Sequence, residues 1–98
     1  MVEKLSAAIL EASLASLTAW TLNDDRTTIS RTFKFKTFSE AFGFMTRVAL
    51  AAEKAGHHPD WSNSYGVVVI ELTTHDAGGL SQKDIDLAQR IDSLGMAQ

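Results

Sequence analysis

Ninety-eight residues with 45% hydrophobic side chains suffice for one domain, spanning 1–98, with a small core. A net charge of −3 and a pI near 5.5, with no run of like charge, exclude the basic face of a direct nucleic-acid binder; the absence of cysteine excludes disulfides and thiolate metal sites. No stretch reaches the roughly 18 apolar residues of a membrane span, and the N-terminus lacks the basic-then-apolar order of a signal peptide, so the expectation is a cytoplasmic protein with no membrane partner.

Ser6 can cap a first helix running to about Leu17, with Leu10, Leu14 and Leu17 on one stripe. Thr18 to Leu22 reads as extended around Trp20, and Asn23-Asp24-Asp25 as a turn. Thr28 to Thr37 alternates. Ile29, Phe33 and Phe35 face one way, Thr32, Lys34 and Lys36 the other, and Arg31 interrupts the apolar side. Such a period-2 pattern belongs to an antiparallel strand with one solvated face, here the second arm of a hairpin.

Thr37 and Glu40 have the spacing of a capping box ahead of a helix from Phe38 to Ala55, with Gly56 as its left-handed terminator. Phe42, Met45, Val48, Ala49 and Ala52 make one stripe, and Phe44, Leu50 and Ala51 add apolar area beyond it. A helix apolar over most of its circumference needs cover on two sides; in a domain this small the second cover is another subunit, the other reading being one thick core helix. Pro59 stops any helix. Asp60 to Asn63 reads as loop, with a short strand around Trp61 as the other option. Tyr65 to Thr74 is a strand pairing beside Thr28 to Thr37, with Val68, Ile70 and Leu72 inward. His75 to Gly79 is a loop. Ser81 caps a last helix that buries Ile85, Leu87, Ala88, Ile91 and Leu94 and ends at Gly95. The order α-β-β-α-β-β-α describes an α+β, two-layer domain: an antiparallel sheet of about four strands with three helices on one face.

The three histidines stand at element ends: His57 and His58 after the long helix, His75 after the strongest strand. Imidazole both donates and accepts protons near neutral pH. Adjacent residues on an extended backbone point to opposite sides, so His57 and His58 do not readily chelate one metal. Each histidine alone could be a helix-end charge or a strand-end surface residue. Together, with Glu53 and Asp76 nearby and Trp20, Trp61 and Tyr65 as flat walls, they suit acid–base chemistry on a planar heterocycle. A three-histidine zinc site is the other chemistry open to them.

Glu53, three residues, His57-His58-Pro59, five residues, Tyr65, nine residues, His75, eight residues, Asp84: this spacing resembles the signature of the pterin-4a-carbinolamine dehydratases. The likeness runs from about Trp20 to Ile91. It implies a hydro-lyase that removes water from 4a-hydroxytetrahydropterin, in tetrahydrobiopterin recycling, with neither cofactor nor metal. Carried over by position, His57, His58 and His75 are catalytic, and Glu53 and Asp84 support them. The pterin would lie against His57, His58, Pro59, Thr74, His75, Asp76 and Ala77, with Trp20 and Trp61 as walls. The resemblance also implies a homo-oligomer, dimer or tetramer. Its alternative is a non-enzymatic module that serves as dimerisation cofactor of a transcription factor through the 38–55 helix. Gly56 and Ala77 depart from members that carry an acidic residue and a cysteine there; neither departure removes a histidine.

Overall fold

Local chemistry fixes both ends of the helix that delivers the histidine pair. In the computed structural model, which describes residues 2–96, this helix is α2, Phe38–Ala55. Thr37 Oγ1 accepts the Glu40 amide at 3.1 Å. Glu40 reaches back one residue further than a capping box requires, and Oε1 accepts from Lys36 N at 3.1 Å. Gly56 closes the helix at φ 64°, a conformation that costs glycine nothing.

Two further helices and four strands complete the described residues. They are α1 (Ala7–Leu14), β1 (Thr21–Leu22), β2 (Ile29–Lys34), β3 (Asp60–Ser64), β4 (Val67–Leu72) and α3 (Gln82–Met96). The sheet is antiparallel in the order β1-β2-β4-β3. In the central pair Ile29 lies opposite Leu72 and Phe33 opposite Val68. Ile29, Phe33, Val68, Ile70 and Leu72 are buried in one cluster with Phe44 and Val48 of α2 and Ile85, Ala88 and Ile91 of α3. The expected α+β fold and element order are found.

The differences are local. The first helix stops at Leu14, because Ser16 Oγ competes for the Ser13 carbonyl at 3.1 Å; Leu17 is still buried, through tight turns. The buried stripe of α2 is Ala41, Phe44, Val48 and Ala52, which leaves Phe42 57% exposed. Phe44 takes the inward place because its ring packs at a tilt against Phe33 and Phe35, with centroids 4.6 and 5.1 Å away. Asp60–Ser64 is a strand, not a loop: pairing with β4 overrides its polar composition. Tyr65 lies in the turn before β4, at φ 51°. Helix α3 runs past Gly95, where a Cβ would stand 2.8 Å from the Phe33 ring. That glycine serves close packing and does not end the helix.

Candidate active site

The Gly56 turn sends the two histidines to different environments. Gly56 N donates to Glu53 O at 3.2 Å and His57 N to Ala52 O at 3.1 Å, so the chain reverses at once. The side chain of His57 turns inward and is 11% exposed, with Nε2 2.5 Å from Asp84 Oδ1. His58 turns outward and is 66% exposed, with Nε2 3.0 Å from Glu53 Oε1. Solvent screens that outer pair, which adds little to stability.

Asp84 is fully buried in the first turn of α3. Its Oδ2 accepts from Thr74 Oγ1 at 2.7 Å and from Ser81 N at 3.0 Å. The Thr74 and Ser81 hydroxyls lie 2.6 Å apart. Ser81 was expected to cap α3 with its side chain; the cap is instead the Asp84 carboxylate on the Ser81 amide. His75 opens a single 3-10 turn, His75–Ala77. Thr74 N donates to Gly79 O at 2.9 Å and Gly79 N to Thr74 O at 3.3 Å, a clamp that fixes the ends of this turn.

These segments meet at a cleft of about 340 Å³. Of the residues read from the sequence, His57, His58, Thr74, His75 and Asp76 line it. Glu53 reaches it through His58, and Asp84 lies beneath His57. Pro59 and Ala77 are neighbours in the chain and not part of the lining. Trp20 is elsewhere, buried with its indole Nε1 donating to Asp92 Oδ1 at 2.8 Å. Trp61 packs on the core from β3, opposite Ile70.

Lys83, Asp60, Thr73 and Val2 also line the cleft. Lys83 carried a signal, since it precedes Asp84 in the first turn of a helix expected at the site. Val2 carried none. Among the described residues, no three His, Asp or Glu side chains converge as a metal site would need. A larger hollow of about 700 Å³, between α2 and α3, is lined by Arg47, Leu50, Lys54, Arg90 and Leu94. It lacks any group that exchanges protons near neutral pH, so the smaller histidine cleft is the candidate active site.

The fold and this cleft define an α+β domain with three imidazoles at one opening. The family model for pterin 4 alpha carbinolamine dehydratase matches residues 3–94, and the chain belongs to that family. It is 54% identical over 97 residues to a protein of Bradyrhizobium sp. (strain ORS 278), covering 99% of this chain and 97% of that one. It is 57% identical over 90 residues to a protein of Mesorhizobium japonicum, covering 92% of each. Both relatives carry a provisional pterin-4-alpha-carbinolamine dehydratase name. The crystal structure of a transcriptional coactivator/pterin dehydratase from Brucella melitensis superposes with a TM-score of 0.90 at 41% identity, covering 95% and 99% of the two chains. A pterin dehydratase-like protein, identified as a RuBisCO assembly factor in the alpha-carboxysome, shares the fold at 22% identity with a TM-score of 0.68. It covers 79% of this chain and 89% of that one.

Proposed function

We propose that this chain is a hydro-lyase that dehydrates 4a-hydroxytetrahydropterin to quinonoid dihydropterin, by histidine acid–base catalysis. The observation that carries the reading is the meeting of His57, His58 and His75 at one cleft in a chain of the dehydratase family. The N5 lone pair of the substrate forms the C4a–N5 double bond as the C4a–O bond breaks. The oxygen takes a proton and leaves as water, and N5 then gives up its own proton. Two proton transfers suit the two exposed imidazoles, His58 and His75. Such help accelerates a step by about 10²–10⁴-fold. His57, held by Asp84, binds and orients the ring. Thr74 and Asp76 line the cleft around it, Pro59 and Ala77 only flank the histidines in the chain, and Glu53 steadies His58. Trp20 and Trp61 are left out of this assignment. In the cell the reaction would recycle, in the cytoplasm, the tetrahydropterin oxidised by aromatic amino-acid hydroxylases.

The test is the decay of chemically generated 4a-hydroxytetrahydropterin. The protein should speed it. His58→Ala and His75→Ala should each slow turnover and leave the far-UV circular dichroism unchanged. Decay at the buffer rate with wild-type protein would overturn the reading.

A second surface favours self-association. Phe38, Phe42 and Leu50 of α2 are exposed, Leu50 by 68%. Monomers rarely leave such an apolar stripe uncovered, and a second copy of the chain would cover it. The same face would serve the alternative reading, an interaction module for a transcription factor's dimerisation helix. Binding of that kind would survive His58→Ala and His75→Ala.

A further inference from the structure

Two buried hydroxyls at the cleft, Thr74 in its lining and Ser81 behind it, have no part in the acid–base assignment, and their hydrogen bonds can run in only one direction. A carboxylate only accepts, and a hydroxyl has one proton to give. Thr74 gives its proton to Asp84 Oδ2 at 2.7 Å. The 2.6 Å contact between Thr74 Oγ1 and Ser81 Oγ must then be donated by Ser81. Ser81 N–H fills the second place on Oδ2. Oδ1 is left for His57 Nε2, at 2.5 Å. Protons thus point from Ser81 to Thr74 to Asp84, and from the other side His57 Nε2–H points to Asp84.

We propose that Thr74 and Ser81 are positioning residues: they hold the Asp84 carboxylate where it keeps His57 as its Nε2–H tautomer, leaving Nδ1 as a bare acceptor for an N–H donor of the pterin. This rests on the dehydratase reading for the identity of the ligand, and on the hydrogen-bond chain alone for the tautomer. The chain acts by orientation. A carboxylate tied at Oδ2 by two donors holds its imidazole at one angle, and partners of this kind fix both tautomer and ring plane. Thr74 and Ser81 are themselves buried, so water cannot take over the lost contact in a variant.

The experiment is ¹⁵N–¹H correlation of the histidine rings in mildly alkaline buffer, paired with the carbinolamine decay assay. In the wild type, His57 should show a protonated Nε2 and a bare Nδ1. Thr74→Val and Ser81→Ala should untie the carboxylate so that it turns from His57, which shifts the Nε2 resonance and admits the Nδ1–H tautomer. Each should lower kcat/KM about tenfold, the loss expected for one buried hydrogen bond in a charged network. Thr74→Ser should restore both readouts. A purely structural pair would change stability and leave the His57 resonances in place. If Thr74→Val does not fold, Ser81→Ala and the wild-type spectrum decide. His57 protonated at Nδ1 in the wild type, or unshifted resonances in a folded Ser81→Ala, overturns the proposal. The expected tautomer in a wild type without dehydratase activity supports the positioning and refutes the function.

Discussion

Asp84→Asn and Asp84→Ala should separate holding the fold from holding the histidine. The carboxylate receives three donors: Thr74 Oγ1, Ser81 N and His57 Nε2. Asparagine keeps one oxygen and puts an N–H₂ in place of the other. With its oxygen toward Thr74 and Ser81, its amide faces His57 Nε2, so that nitrogen must accept and the ring must carry its proton on Nδ1. The three contacts are then kept, and charge-assisted bonds become neutral ones at a total cost of about 1–3 kcal/mol. Alanine leaves three buried donors without an acceptor, at about 1–3 kcal/mol each and not fully additive, or about 3–6 kcal/mol together. A domain of this length has about 5–15 kcal/mol in all, so the asparagine variant stays folded and the alanine variant approaches the limit. Urea unfolding followed by circular dichroism measures both costs. Below its midpoint, the asparagine variant should show kcat/KM reduced about tenfold or more, the loss of a charge-assisted contact. Wild-type activity with asparagine, or a cost under about 1 kcal/mol with alanine, would refute the hydrogen-bond reasoning.

Asp92→Ala should cost about 1–3 kcal/mol, because it orphans the buried Trp20 indole N–H. Arg31, 2.6 Å from the same oxygen, is part-exposed and can rehydrate. The urea midpoint should fall with an unchanged slope, and a fall worth under about 0.5 kcal/mol would count against the network. Gly95→Ala should destabilise by about 1–3 kcal/mol despite its better helix propensity, because its Cβ meets Phe33. A raised thermal midpoint would show that the ring simply moves aside. Phe42→Glu should shift light scattering toward smaller species with circular dichroism unchanged; a monomer before and after would remove the self-association reading. The corresponding change at Val48 should instead unfold the chain, since Val48 is fully buried within it.

The resemblance to the dehydratases was readable from the spacing of Glu53, His57, His58, Tyr65, His75 and Asp84, and the matching family model agrees with it. The sequence by itself also determined whatever depends on near neighbours. Thr37 beside Glu40 starts α2, and Gly56 ends it, because capping acts within one turn. The alternation of β2 and β4 sets their inward faces, because successive strand residues must face opposite ways. The tertiary structure decided what depends on meetings between distant segments. Helix α2 could have buried Phe42 or Phe44, and only the rings of Phe33 and Phe35 choose. A polar stretch such as Asp60–Ser64 becomes a strand only when β4 offers a ladder. Trp20, read as a pocket wall, is drawn to Asp92 on another element. The links from Asp84 to Thr74 and His57 lie in no local pattern, because hydrogen bonds need contact within about 3 Å, and only the packing of α3 against the exit of β4 and the end of α2 brings those residues that close.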